Sequence, residues 1–178
     1  PASCGTNRFQ CICIGGDMFT SEEIMEVMQL DGIRHRVVPF HQRHIHMANF
    51  RSFEKEVLEG YGRPHIEDYG VEGLSFTGIR NAKVIVIWGL YPLWKGVAEA
   101  WMLPTHDLEP SKMIFHKGAL RFFDYATEKL KLHRLQTYVC KTNNRAVKWM
   151  EMCYFDREGL LKKYGPDIKD YYVYGRLF

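Results

Sequence analysis

The spacing of hydrophobic residues changes along the chain and predicts a mixture of strands and helices. The clearest strand is the β-branched run VIVIW at residues 84–88. The clearest helix runs from about Lys112 to Lys131, where apolar residues recur every three or four positions. The predicted order is strand, helices, three strands, long helix, strand, helix and hairpin. The strand segments are IRHRVVPF, GLSFTG, AKVIVIWGLYPL, GVAEAWML and HRLQTYVC, and the hairpin is DREGLLKKYGPDIKDYYVYGRLF.

This order predicts an α/β (α+β) fold with a single mixed, mostly antiparallel sheet flanked by helices on both faces. A parallel strand pair joined by a crossover helix often parts to form a ligand crevice. We interpret residues 1–32 as an N-terminal extension, packed on the domain or on a partner, and 33–178 as the domain. The segment PTHDLEPS, residues 104–111, is predicted to be a loop.

Composition narrows the functional classes. The chain is 46% hydrophobic and 14% aromatic, which is typical of a globular protein, and its net charge of +3 is too small to indicate nucleic-acid binding by itself. The apolar runs are too short for a membrane span. Five cysteines without a C-x-x-C pair, and no secretory signal, predict reduced thiols in a cytoplasmic protein.

Three histidines lie close together in HQRHIH. His41 and His44 share a helical face, but no cysteine or carboxylate nearby completes a metal site, so we predict no metal. We interpret His41, His44 and His46 as part of a basic helix face that contacts phosphates, including those of nucleic acid, or an acidic partner.

The C-terminal part resembles a known enzyme superfamily. The segments DYATEKLKLHRLQTYV, Asn143 to Ala146, Phe155 and Glu158-Gly159 resemble the GNAT N-acetyltransferases, in the branch that acetylates ribosomal proteins and small amines. The likeness covers about 33–178 by element order and 110–178 by motif. It implies a GNAT-like acyl-CoA N-acyltransferase fold, with acetyl-CoA as the cofactor if the protein is active.

The same resemblance implies candidate site residues. Glu99 is the candidate base, in the strand where the family often keeps an acid, although it could instead face solvent or pair with an arginine. Met102 and Leu103 stand where the family contacts the pantetheine arm. Asn143 corresponds to the residue that orients CoA, and it is equally suited to cap a helix.

Two departures from the family pattern concern the chemistry. The glycine-rich pyrophosphate loop falls on Pro110 to Phe115, which contains no glycine; Lys112 is the candidate phosphate contact there, and Gly118 is the nearest glycine. Met150 occupies the position of the family's proton-donating tyrosine. Tyr154 stands at a glycine position and is either a replacement acid or a core residue.

These departures leave open a regulatory binding module that uses the vacated crevice, and they lead to two other functional hypotheses. The first is a GNAT-fold protein with a degenerate acetyl-CoA loop and no cofactor, acting as a structural or assembly component. That style resembles internal virion or core proteins of short-tailed bacteriophages and implies protein partners, an oligomeric assembly and a location in the host cytoplasm and the virion. The alternative is an acetyl-CoA-dependent N-acetyltransferase acting on a protein or small-molecule amine.

Overall fold

Seven strands form one mixed sheet in the order β1-β2-β3-β4-β5-β7-β6. The computed structural model describes residues 18–61, 69–166 and 168–178. Every neighbouring pair is antiparallel except β4 and β5. The predicted mixed, mostly antiparallel sheet and the predicted element order are therefore confirmed. The strands are β1 (His35–Pro39), β2 (Ser75–Arg80), β3 (Lys83–Trp94), β4 (Val97–Pro104), β5 (Arg134–Cys140), β6 (Asp156–Leu161) and β7 (Tyr171–Leu177).

Within the described residues, five α-helices cover the two faces of this sheet. Residues of α2 and α3 pack with Ile87 and Leu103 on one face, whereas α1, α4 and α5 pack with Phe76 and Leu135 on the other. The predicted placement of helices on both faces is confirmed. The helices are α1 (Ser21–Met28), α2 (Arg43–Met47), α3 (Ser52–Tyr61), α4 (Lys112–Lys129) and α5 (Asn144–Met152).

The segment before α4 was predicted to be a loop, and this prediction is wrong. Residues His106–Ser111 form a 3-10 helix that runs directly into α4. Thr105 starts it: its hydroxyl accepts from the Asp107 N–H at 3.2 Å and lies within 3.0 Å of the backbone carbonyls of Val84 and Ile85. A cap anchored on a distant strand stabilises a helical turn that local composition does not predict.

Helix α1 packs along α4. Thr20 and Glu23 form a reciprocal capping box at its start, and Ile24 and Met28 are buried. Glu23 also pairs with Lys129 at 2.6 Å and accepts a hydrogen bond from the Tyr125 hydroxyl. The described part of the N-terminal extension therefore docks on its own domain, while residues 1–17 lie outside the described residues.

Only part of the histidine segment agrees with the basic face predicted from its sequence, because His41 and His46 are exposed and His44 is not. His44 is buried, and its Nδ1 lies 2.9 Å from the Thr77 hydroxyl. Burial lowers the pKa of His44, and the charges of Arg43 and His41 lower it further. His44 is therefore a neutral core residue of the sheet face that α2 covers. Within the described ranges, no group of three or more potential metal ligands comes together.

Two further features concern the cysteine thiols and the length of the helices. Cys140 and Cys153 are buried free thiols, as their apolar surroundings in the sequence predict. None of the helices in the described part of the chain is long and apolar enough to cross a membrane.

Candidate active site

The two parallel strands pair over only three residues and then part. Val97 lies opposite Arg134 and Glu99 opposite Gln136, but β4 continues to Pro104 and β5 to Cys140. On its other edge β4 stays paired with β3 as far as Pro104. Beyond Glu99, the edge of β4 that faces the opening has no strand partner among the described residues. An open strand edge of this kind can bind a ligand that carries amide groups.

A cleft of about 540 Å³ fills the space between the parted strands. This volume lies within the range typical of small-molecule sites. Because side chains alternate along a strand, the cleft has two chemically different sides. The apolar side faces α4 and α5 and is lined by Trp88, Ala100, Met102, Phe115, Ala119, Phe122, Phe123, Val139, Trp149 and Met150. The acidic side faces α3 and is lined by Phe53, Glu54, Tyr69, Glu99, Trp101 and Tyr138.

Glu99 lies at the point where β4 and β5 separate. The Tyr69 hydroxyl donates to Glu99 Oε1 at 3.2 Å, and the Tyr69 ring stacks on Tyr91 at 4.9 Å between centroids. Burial raises the pKa of Glu99 to about 7, and the hydrogen bond from Tyr69 partly opposes this shift. A carboxyl group that is half ionised near neutral pH can accept a proton from an amine.

Three further predicted residues also lie at the cleft. Met102 contributes to the apolar side, and Leu103 lies on the opposite face of β4. Asn143 caps α5, because its Oδ1 accepts a hydrogen bond from the Ala146 N–H at 3.2 Å, and it also lines the cleft. Its two predicted roles, helix cap and ligand contact, are therefore compatible.

The start of α4 differs from a phosphate-binding loop. The Lys112 N–H donates to the Glu109 carbonyl, and the Lys112 ammonium pairs with the Glu109 carboxylate at 2.7 Å. The Phe115 ring stacks on Trp149 at 6.0 Å and meets the edge of Trp88 at 5.7 Å. The candidate phosphate contact is thus occupied by a carboxylate, and aromatic rings fill the adjoining space.

The nearest glycine does not compensate for this difference. Gly118 lies inside α4, where an added Cβ would be 2.8 Å from Met28 Cε and 3.1 Å from Met28 Cβ. Its small size lets α1 approach α4 closely. Gly118, the nearest glycine in the sequence, therefore serves the packing of α1 on α4 and does not lie at the start of α4.

Acetyl-CoA, the cofactor implied by the fold, fits this site only in part. The open edge of β4 and the apolar side suit a pantetheine arm, which carries two amides on a largely apolar chain. The start of α4 contains no glycine that would let a pyrophosphate approach the backbone closely, and the Lys112 N–H there is already bonded to the Glu109 carbonyl.

Tyr154 does not enter the cleft, so the structure corrects its assignment as a candidate acid. It follows the end of α5 with φ = +62°, and its side chain is 70% exposed beside the Arg176 guanidinium. This left-handed conformation directs the chain from α5 into β6, and it is one that glycine adopts without steric cost. Tyr154 is therefore neither a core residue nor a proton donor to the cleft.

Sequence reasoning missed two polar residues on the acidic side. Tyr138 follows Gln136 by two positions in β5, and its hydroxyl accepts from Gln136 Nε2 at 3.0 Å. Burial raises the pKa of Tyr138, and the charge of Glu99 raises it further. Glu54 lies in the first turn of α3 and is only 5% exposed. The alternation of β5 was a usable signal for Tyr138, whereas nothing in the sequence FEKE distinguishes Glu54 from a solvent-exposed acid.

Several solved structures with similar folds are acetyltransferases. A GNAT-family acetyltransferase from Bacillus anthracis superposes with a TM-score of 0.62 at 18% identity, over 81% of this chain and 95% of that chain. Ard1 from Thermoplasma volcanium gives 0.64 at 11% identity, over 82% and 98%. A variant of the spermidine N-acetyltransferase SpeG from Vibrio cholerae gives 0.58 at 22% identity, over 81% and 94%.

These comparisons establish the fold and nothing finer. No protein-family model matches the sequence, and no curated protein matches it. The chain has the GNAT acyltransferase fold that its motifs imply, with one mixed sheet parted between β4 and β5. Because a fold does not determine an activity, function has to be argued from the cleft.

Proposed function

We propose that the protein transfers an acyl group from a thioester to an amine across the cleft between β4 and β5. The observation that carries this proposal is Glu99, a half-buried carboxyl group at the point where the strands part, whose pKa is raised to about 7. Its position between an apolar and an acidic side allows donor and acceptor to approach from opposite directions. Spermidine N-acetyltransferase is among the similar structures, which supports an amine as the acceptor.

The donor arm would lie on the open edge of β4 beside Met102 and Leu103. Backbone groups there are free of β5, so they can bind the amides of a pantetheine arm as a neighbouring strand would. When bound, the thioester supplies the electrophilic carbonyl. Asn143, at the start of α5, limits the cleft where the arm leaves it.

The residues of the acidic side would move the protons. Glu99 takes a proton from the acceptor's ammonium group, and the free amine can then form the C–N bond as the C–S bond breaks. Tyr138 is the candidate donor to the departing sulfur, because its hydroxyl lies on the acidic side of the cleft and is protonated at neutral pH. The proton that the new amide nitrogen then loses restores the Tyr138 hydroxyl. This assignment replaces Tyr154.

Donor binding tests the proposal directly. We expect acetyl-CoA and acetyl-pantetheine to bind with affinities within about threefold of each other, because the start of α4 adds little contact with pyrophosphate. Calorimetry with each compound measures this ratio. If neither binds at millimolar concentration, the acyltransferase proposal is wrong, and if acetyl-CoA binds a hundredfold more tightly, a pyrophosphate site exists elsewhere on the chain.

A turnover assay of two matched variants tests the role of Glu99 as the base. Glu99→Gln keeps the size and the hydrogen bond from Tyr69 but cannot take a proton, so we expect acyl transfer to fall at least about a hundredfold with donor affinity unchanged. Glu158→Gln is the control, because Glu158 pairs with Arg134 and does not line the cleft.

A second candidate function is an assembly role without catalysis. The observation that favours it is the Phe115–Trp149 stack beside a start of α4 that contains no glycine. Under this proposal the chain works through protein partners in a homo- or hetero-oligomer, as a virion component would. Sizing by light scattering separates the two: an assembly component forms an oligomer and binds no thioester, whereas the enzyme binds acetyl-pantetheine in any oligomeric state.

A further inference from the structure

A chain of hydrogen bonds runs along one face of β5 and ends at the cleft. Arg134, Gln136 and Tyr138 alternate along the strand, so their side chains project to the same side of the sheet. Arg134 Nε donates to Gln136 Oε1 at 3.2 Å, and Gln136 Nε2 donates to the Tyr138 hydroxyl at 3.0 Å. Tyr138 is among the described residues that line the cleft, and Gln136 is not. Gln136 therefore reaches a ligand in the cleft only through its neighbours.

The chemistry of the donors fixes the direction of each bond in this chain. A guanidinium group has N–H donors and no acceptor, so Arg134 must bind the oxygen of the Gln136 amide. The amide nitrogen then faces Tyr138, and because that nitrogen only donates, the Tyr138 oxygen must accept. Arg134 binds Glu158 through its two Nη groups and uses Nε for Gln136. The bond to Gln136 therefore does not depend on the charge of Glu158.

This polarity leaves the hydrogen of the Tyr138 hydroxyl for the cleft. A phenol has one hydrogen to donate, and the bond from Gln136 uses only a lone pair of its oxygen. Within the described ranges, no side chain or carbonyl accepts the Tyr138 hydrogen. The ring is held as well, because it stacks on Tyr164 at 5.2 Å between centroids. Ring and oxygen are thus fixed from the protein side, and the hydrogen points away from Gln136.

The oriented hydroxyl lies beside the candidate base. Glu99 is the partner of Gln136 in the short parallel ladder, and residues paired in a ladder project to the same side of a sheet. Tyr138 follows Gln136 by two positions, so it lies one step further toward the open part of the cleft. Burial and the charge of Glu99 raise the pKa of Tyr138. The proton donor and the base therefore face the place where the thioester would lie under the proposed function.

We infer that Gln136 is a positioning residue for acyl transfer, which holds the Tyr138 hydroxyl as an acceptor so that its hydrogen is available to the departing sulfur. This inference rests on the proposed function and deepens it by naming the residue that orients the proton donor. The direction of the bond matters, not only its presence. Gln136→Glu still accepts from Arg134 and still bonds to Tyr138, but it accepts the hydrogen that the sulfur needs.

Steady-state kinetics of two variants test this role. Gln136→Leu removes both bonds, and Gln136→Glu reverses the one to Tyr138. At pH 9, where Glu99 is ionised, we expect kcat for acyl transfer to fall at least about tenfold in each, with KM for the donor changed less than about twofold. Gln42→Leu, at an exposed position without a side-chain cap bond, is the control and should keep the wild-type kcat. A wild-type kcat in Gln136→Glu would overturn the inference.

A double-mutant cycle separates positioning from a merely structural role. Tyr138→Phe lacks the hydroxyl, so Gln136→Leu should lower kcat by less than about twofold more in that background. A further loss of about tenfold would overturn the inference, because Gln136 would then act without Tyr138. Both results differ from a wild-type protein that shows no acyl transfer, which overturns the proposed function and this inference with it.

Discussion

The hydroxyl of Tyr69 donates to Glu99 Oε1 at 3.2 Å, and this bond opposes the burial that raises the pKa of Glu99. A carboxylate acts as a base only when it is ionised. The rate of an amine acylation that depends on Glu99 must therefore rise with pH through about 7 and level off above it.

The first prediction concerns this ascending limb. We expect kcat/KM for acyl transfer to increase about tenfold per pH unit below 7, and Tyr69→Phe to move the midpoint to higher pH because it removes the stabilising hydrogen bond. A rate profile from pH 5 to 9 for both proteins measures the shift. A midpoint that stays fixed in Tyr69→Phe would mean that Glu99 does not control the limb.

The second prediction concerns stability. Ionisation of Glu99 promotes acyl transfer, but it destabilises the folded chain. Ionising the half-buried Glu99 costs the folded chain free energy, because burial disfavours the charged form. The cost is absent below the ordinary pKa of 4.5 and is fully present above pH 7. We expect Glu99→Gln to be more stable than wild type by up to about 3 kcal/mol at pH 8 and by about zero at pH 4. Urea unfolding at both pH values measures this, and a constant difference would contradict it.

The third prediction concerns the contact between α1 and α4. Gly118→Ala gains helix propensity of about 1 kcal/mol, but its methyl group must displace Met28. We expect a net loss of about 1 kcal/mol in the free energy of unfolding. In a Met28→Ala background the same substitution should cost less, because the contact with Cε is gone and only the tight contact with Cβ at 3.1 Å remains. Denaturant unfolding of the four proteins measures the coupling, and simple additivity would show that the two residues do not limit each other.

The fourth prediction concerns Tyr154. Tyr154→Gly and Tyr154→Ala both remove the ring beside Arg176, so their difference isolates the backbone at φ = +62°. We expect the glycine variant to be more stable than the alanine variant by about 1 kcal/mol. Thermal unfolding measures the difference, and donor affinity should be unchanged in both because Tyr154 lies outside the cleft. A large loss of donor binding would return Tyr154 to the site.

Local patterns predicted the elements well because their causes are local. The β-branched run around Val84 forms the central strand β3, and Asn143 caps α5 three residues before the N–H that it accepts from. Long-range contacts explain the failures. The 3-10 helix depends on the hydrogen bonds of Thr105 to β3, and the burial of His44 depends on Thr77, 33 residues away.

The candidate site could also be predicted in part from the sequence. Glu99, Met102, Leu103 and Asn143 reached the cleft because the family resemblance fixes the strand and helix on which they lie. Tyr154 lies outside the cleft. The sequence argument assumed that it continues the helix, whereas its backbone is left-handed and turns its side chain away. Glu54 was missed because its burial comes from α3 crossing the cleft, not from its sequence neighbours.

Because β4 and β5 pair over only three residues, a bound ligand should change the hydrogen exchange and the thermal stability of the protein. Cleft-facing amides of β4 beyond Glu99 have no β5 partner to protect them, so they should exchange their hydrogens with solvent much faster than the amides paired to β3. A bound arm would take the place of the missing strand. Slower hydrogen exchange in this stretch and a higher melting temperature would then show that the bound ligand pairs with β4 and completes the sheet.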